Sequence, residues 1–280
     1  ELLDYFASDP ETEIVAAYIE GVKDGRRFYQ VLKKLADEKP TIVLKGGYTK
    51  AGAASAASHT GSLAGSGEVW EGILQQTGAI QVHSLEELAD MVVTFSYMSL
   101  PQGRRIGMFG AGGGATVLAT DECIAADFNL PRLPEEIQDE LKQLVTCEAG
   151  NILKNPLDLS SVSFDESFYS ITRRLAAYEG IDLIIAHVPL GIVLPFAMSS
   201  NSVLDFLTDV TIKLNNEGKK PVAMVFHSVV SSENWKATLN AQQKCYEAGL
   251  PVYNSIAGAV KAIDRFLRYH ENRPDKKCLN

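Results

Sequence analysis

The chain reads as an α/β protein with two parallel-sheet units, the first of them incomplete at its N-terminus. Short unbroken apolar runs alternate with helix-patterned segments along the chain, as strands buried on both faces and joined by crossover helices do. A Gly-rich turn joins one such run to a helix at residues 109–115, a connection that recurs in doubly wound sheets. With 280 residues there is room for about two domains. The break at Leu100-Pro101-Gln102-Gly103 divides the chain into residues 1–100 and 101–280.

In the first unit, residues 14–19 and 41–44 are apolar strands with helix-like residues 28–35 between them. A small-residue loop at 51–67 follows, then helical spacing over 68–76 and a short strand at 79–82. Ser84 with Glu87 forms a capping box for a helix running to about Met98. The strand at 14–19 is apolar on both faces, as an interior strand is, so further strands of this unit are expected before Glu1. The opening at Glu1 without Met suggests a fragment or a processed product.

The second unit begins with a strand at 105–109, the glycine turn, and a helix over 115–126. Pro134 opens a helix at its first turn, and Ser163 with Glu166 caps another through Tyr178. Strands at 182–186, 221–226 and 251–253 alternate with helices at 202–215, 233–248 and 257–269. Asn155-Pro156-Leu157-Asp158-Leu159 reads as a turn segment whose Asn and Asp hold either a loop shape or a ligand.

Composition narrows the function. Apolar residues at 46% and charged residues at 22% describe a soluble globular chain. The net charge of −9, with no cluster of Lys and Arg, argues against a nucleic-acid partner. The most apolar stretch, 183–198, is shorter than a membrane span and interrupted by Pro189, Gly191 and Pro195. Cys123, Cys147, Cys245 and Cys278 are widely spaced, which suggests neither a disulfide framework nor a zinc site. No signal-peptide pattern opens the chain, and a reducing cytosol is the expected compartment.

The candidate chemistry centres on His59, in Ser58-His59-Thr60-Gly61-Ser62-Leu63-Ala64-Gly65. A loop of Ala, Gly and Ser leaves an imidazole without bulky neighbours and framed by backbone N–H groups, which suits a phosphate. Glu20 lies just past the first strand, at the sheet edge where open α/β folds place their sites. Facing His59, it would fix the ring's tautomer and free the other nitrogen to attack phosphorus.

Gly110, Ala111, Gly112, Gly113 and Gly114 run from a strand into a helix, where free N–H groups and the helix dipole make an anion site. No Lys-Ser or Lys-Thr pair follows, so the turn is not a P-loop. Residues 127–133 offer no second strand ending in an acid, which disfavours a dinucleotide and ranks a nicotinamide oxidoreductase last. His187 and His227 end strands and read as structural or solvent-facing, while His83 and His270 carry no functional argument.

Taken in order, several segments resemble the nucleoside-diphosphate-forming acyl-CoA synthetases, the relatives of succinyl-CoA synthetase. They are Tyr18-Ile19-Glu20-Gly21, Lys39-Pro40 leading to Lys45-Gly46-Gly47, the His59 run, the glycines leading into Ala119-Thr120-Asp121, and Asn155-Pro156-Leu157-Asp158-Leu159. The resemblance implies two flavodoxin-like domains and a phosphohistidine at His59 held by Glu20. It also implies a phosphate cradled by the helix after Gly110 to Gly114, with Ser58, Thr60, Gly61, Asn155 and Asp158 in support.

CoA, ATP or ADP, and Mg would then belong to CoA-binding and ATP-grasp domains or subunits outside this chain, with phosphate and acyl phosphate as the ligands met here and an oligomer as the assembly. Phe109 stands where many relatives have Asn, so no side-chain amide is available at that point. The piece alone is expected to be inactive as a ligase. The alternative is a non-catalytic regulatory or acyltransferase-linked module of the same fold.

Overall fold

The computed structural model describes residues 1–60, 66–145, 150–190, 200–227 and 232–273. Backbone contacts divide the chain into two compact units, Glu1–Ser96 and Tyr97–Asn280. Both are α/β with parallel sheets.

The first unit starts with a helix that the sequence patterning did not announce, α1 (Leu2–Ser8). Strand β1 (Val15–Ile19), helix α2 (Gly25–Glu38) and strand β2 (Thr41–Lys45) follow. Asp24 caps α2 by accepting the Arg27 N–H at 3.0 Å. Phe28, Leu32, Leu35 and Ala36 then recur on one buried face. Helix α3 (Lys50–Thr60), helix α4 (Gly67–Thr77), strand β3 (Ile80–Val82) and helix α5 (Leu85–Tyr97) complete the unit. Ser84 Oγ accepts the Glu87 N–H at 3.1 Å, and the Glu87 carboxylate reaches back to the His83 N–H at 3.0 Å.

The sheet order is β1-β2-β3, all parallel. Phe28 and Leu32 of α2 pack with Trp70 and Leu74 of α4 over Val43, while Ala7 of α1 closes on Val15 and Leu35. Within this chain β1 is an edge strand paired with β2, and Ala16 and Tyr18 are exposed. The two-faced burial expected from its composition is therefore not realised here.

One reading is corrected in this unit. Residues 51–67 were expected as a loop because they are small; instead 50–60 form a helix. Alanine is the strongest helix former and outnumbers glycine in this stretch, and Thr49 caps it by accepting the Gly52 N–H at 3.1 Å.

The second unit contains β4 (Ile106–Gly110), α6 (Gly113–Ala125), α7 (Glu135–Gln143), β5 (Ile152–Leu153), β6 (Leu157–Asp158) and α8 (Glu166–Ala176). Then come β7 (Leu183–Pro189), α9 (Ser200–Asn216), β8 (Val222–His227), α10 (Ser232–Glu247), β9 (Val252–Tyr253) and α11 (Ile256–Glu271). The sheet order is β5-β6-β4-β7-β8-β9. Apart from the antiparallel edge strand β5, this is the flavodoxin-like winding, which reverses direction between β4 and β7. All seven residues of β7 are buried. Arg105 clamps Asp182 at the start of these two strands, Nη2 to Oδ1 at 2.7 Å and Nε to Oδ2 at 2.9 Å. The guanidinium holds the Asp182 carboxyl below the usual carboxylate range.

Three expectations change in this unit. Pro134 is the N-cap of α7 rather than its first helical residue. Asp165, not Ser163, caps α8, accepting the Ser167 N–H at 2.8 Å, because it stands immediately before the first helical residue. The segment 155–159 is more than a turn: Leu157 and Asp158 form β6, parallel to β4 at Phe109 and Gly110. Two strand residues are too short a run for periodicity to register.

Among the described residues no helix is long and apolar enough to cross a membrane. Cys123 and Cys245 are buried, and burial pushes both thiols up to about 12.

Two predictions follow from the packing of β4 and β7. Burial lowers the His187 imidazole from 6.5 to about 4. An unfolded His187 takes up its proton as pH falls through 6.5, while the folded ring resists down to about 4, so folding stability declines across that window. Urea unfolding at stepped pH is expected to show this decline, and His187→Gln to flatten it. A Cβ on Gly110 would collide with the His187 carbonyl oxygen. Gly110→Ala is therefore expected to cost about 1–3 kcal/mol in the same assay, as overpacking of a close-packed interior does.

Candidate functional site

In the first unit the candidate residues gather at the C-terminal ends of β1 and β2. Glu20 follows β1 directly and is half-buried, with Oε1 accepting the Tyr18 hydroxyl at 3.0 Å. That hydrogen bond is the main cause of the raised Tyr18 pKa. The Tyr18 ring lies against Gly46, where a Cβ would stand 2.5 Å from its hydroxyl oxygen. Glycine at 46 is thus what lets the tyrosine reach over the sheet edge to Glu20.

Lys45, the last residue of β2, is a participant that the reading from sequence did not assign. Only 6% of it is exposed. Its Nζ donates to the Glu20 carbonyl at 2.8 Å and to the Gly46 carbonyl, and it sits 5.1 Å from the centre of the Trp70 ring. Burial lowers its pKa and the Glu20 carboxylate partly restores it. A charged residue closing an otherwise apolar strand was the available signal. This ammonium joins the exits of β1 and β2 and sets a fixed positive charge beside Glu20.

Ser58, His59 and Thr60 lie on the last turn of α3. Ser58 is exposed, and its hydroxyl donates to the Ala54 carbonyl at 3.0 Å. The side chains of His59 and Thr60, and Gly61 altogether, lie outside the described residues.

In the second unit the glycine turn lies at the reversal of winding between β4 and β7, where open α/β sheets form their ligand crevice. Gly112 is the N-cap of α6 at φ 92°, a conformation that side chains strain to adopt, and α6 has no side-chain cap. The first N–H groups of α6, at Gly113, Gly114 and Ala115, have no partner within the helix. Around Gly114 nothing stands within 4 Å of a would-be Cβ, whereas at Gly113 Asp158 Oδ2 lies 3.4 Å from one, so the backbone is open to an anion at Gly114.

Gly112 itself is occupied. Its N–H donates to Ser160 Oγ at 2.8 Å and to Asp158 Oδ1 at 3.2 Å. Asp158 Oδ1 also accepts the Ser160 N–H at 3.1 Å and the Ser160 hydroxyl. The buried Asp158 and the exposed Ser160 therefore brace the turn. Gly112 leaves the set of amides offered to a ligand, and Ser160, two residues past Asp158, joins the turn unannounced by any sequence pattern.

Asn155 also proves structural. Its Oδ1 accepts the Met108 N–H at 2.9 Å, and its Nδ2 donates to the carbonyls of Ile106 at 2.7 Å and Pro131 at 3.0 Å. It does for the edge of β4 what a neighbouring strand would do. Phe109 points into the core, edge to face with Phe168 at 6.1 Å. Among the described residues no group of three or more His, Cys, Asp or Glu side chains could hold a metal ion.

Residues 1–95 match the family model described as the succinyl-CoA ligase like flavodoxin domain. Acetate–CoA ligase (ADP-forming) II subunit alpha of Pyrococcus furiosus is 33% identical over 267 residues, covering 94% of this chain and 55% of that relative. Acetate–CoA ligase (ADP-forming) of Methanocaldococcus jannaschii is 40% identical over 159 residues, covering 57% of this chain and 22% of its own length. Among solved structures, the dinucleotide-forming acetyl-coenzyme A synthetase 1 of Ca. Korarchaeum cryptofilum, in complex with phosphate and ADP, superposes with a TM-score of 0.75 at 26% identity. That match covers 100% of this chain and 58% of the other. The chain thus spans little more than half the length of the Pyrococcus furiosus and Ca. Korarchaeum cryptofilum proteins. Its first 95 residues match a succinyl-CoA ligase like flavodoxin domain, and over nearly its whole length the chain is similar to ADP-forming acetate–CoA ligases.

Proposed function

We propose that this chain is the phosphoryl-carrying core of an acid–CoA ligase that forms a nucleoside triphosphate from the diphosphate. The observation that carries the reading is the uncapped N-terminus of α6 at the winding reversal, in a chain whose relatives are named ADP-forming acetate–CoA ligases. One similar structure was solved with phosphate and ADP.

The reaction divides into three reversible transfers. Phosphate displaces CoA from an acyl-CoA to give acyl phosphate. An imidazole nitrogen of His59 then attacks the phosphorus and releases the carboxylic acid. Finally the N–P bond breaks as the phosphoryl group passes to ADP, giving ATP and restoring the neutral ring. CoA, the nucleotide and Mg are assigned to CoA-binding and ATP-grasp domains or subunits outside this chain.

Each local feature has a place in that scheme. The role this reading assigns to Glu20 is to fix the His59 tautomer by accepting a ring N–H, leaving the other nitrogen as the nucleophile. The amides of Gly113, Gly114 and Ala115 stabilise phosphoryl oxygens through partial charges, which let the group leave again. Asp158 and Ser160 position these amides by holding Gly112. Lys45 offsets the Glu20 carboxylate, which would otherwise stand as a full negative charge near a phosphohistidine dianion.

Two experiments test this reading in the complete protein with its partner domains. ATP and Mg are expected to give an acid-labile, base-stable phosphate label that disappears in His59→Asn. An unlabelled wild type would overturn the enzyme reading in favour of a non-catalytic module. Lys45→Met leaves the Glu20 and Gly46 carbonyls without their donor. It is expected to lower unfolding free energy by about 1–3 kcal/mol and to slow labelling of His59; labelling at the wild-type rate would remove Lys45 from the site.

A further inference from the structure

Strand β7, at the winding reversal, and its outer neighbour β8 each carry an imidazole that the phosphoryl chemistry leaves unused. His187 pairs in register with Gly110, the residue that leads into the glycine turn, and only 2% of it is exposed. His227 ends the next strand, opposite Pro189, and is half-buried. Nε2 of His187 stands 3.4 Å from Nδ1 of His227, with ring centroids 5.6 Å apart.

Such a pair is costly in this setting. Its neighbours along both strands are apolar and buried, and stability alone would favour another aliphatic residue at each position. Sequences break their local pattern in this way chiefly at working sites. The pair stands at the C-terminal edge of the sheet beside the crevice, the ordinary place for ligand contacts in this winding.

The pairing also has a chemical consequence. Which of the two facing nitrogens donates depends on the tautomers of the rings. When His187 Nε2–H is the donor, a neutral His227 carries its own proton on Nε2, on the ring edge away from His187. The half-buried ring then offers a hydrogen-bond donor whose orientation is fixed by the buried one.

We propose that His187 and His227 form an acyl-group subsite, in which His227 Nε2–H donates to an oxygen of a small carboxylic acid, or of its acyl phosphate, seated beside the glycine turn. His227 is the binding residue and His187 the positioning residue. The phosphoryl oxygens are assigned to the α6 amides, which leaves the acyl oxygen to the imidazole. This assignment deepens the ligase reading and rests on it for the identity of the ligand as an acid.

The direct test is side-chain ¹⁵N NMR of the full chain near neutral pH, titrated separately with acetate and with inorganic phosphate. The expected result is a saturable shift of His227 Nε2 with acetate that weakens in His187→Gln. No response to acetate, or a response to phosphate alone, overturns the acyl assignment. In the complete enzyme, His227→Gln is expected to raise the KM for the acid about tenfold or more, the effect of losing a hydrogen bond to a charged ligand. An unchanged KM in a variant with wild-type thermal stability overturns it as well. Labelling of His59 in the wild-type enzyme reports separately on the phosphoryl reading. An acetate response without that label would sink the phosphohistidine and leave the subsite standing.

Discussion

The carbonyl of His187 packs against Gly110 where any other residue would carry a side chain, and the site in the larger unit depends on that close approach. It allows β4 and β7 to stay in register up to Gly110 and His187, the end of their pairing. The chain can then leave β4 abruptly, pass through the positive φ of Gly112, and enter α6 with its first amides uncapped. Asp158 and Ser160 fix the turn from the other flank through the Gly112 N–H. A bound anion would meet a turn already held in shape, so little ordering cost would fall on binding.

The smaller unit solves a related problem with charge rather than with an absent side chain. Two strand exits, after Ile19 and Lys45, leave carbonyl groups at the sheet edge, and the Lys45 ammonium joins those of Glu20 and Gly46. A buried cation is tolerable here because its donors are used, an aromatic face lies beside it and a carboxylate stands near. Both units place buried polar groups toward the C-terminal ends of their strands, Lys45 in one and Asp158 and His187 in the other, while most of the remaining buried polar side chains are threonines. The buried Thr172 and the half-buried Asn155 are hydrogen-bonded to the backbone.

Two local readings fail, each for its own physical reason. Residues 50–60 were mistaken for a loop because smallness was weighed as flexibility, although alanine favours the helix and Thr49 starts it. Asp165 displaced Ser163 because capping depends on which side chain stands next to the first free amides, and a spacing pattern fixes that only to within a residue or two. Asn155 reads from sequence as either a loop or a ligand residue; in the fold its three hydrogen bonds go to backbone groups of residues 106, 108 and 131, far from it in the chain.

By itself the sequence determined the winding: buried runs alternating with amphipathic helices admit few arrangements, and each main strand lies where its apolar run predicted. It also marked Glu20 and the glycine turn as edge features, because residues that end a parallel strand must emerge on the ligand side of the sheet. Only the tertiary structure decided that Gly112 is braced by Asp158 and Ser160, that Lys45 closes over Glu20, and that His187 meets His227. Those contacts join residues 25 to 48 positions apart. Local propensity carries no information at that range, since the partners become neighbours only when the sheet brings their strands side by side.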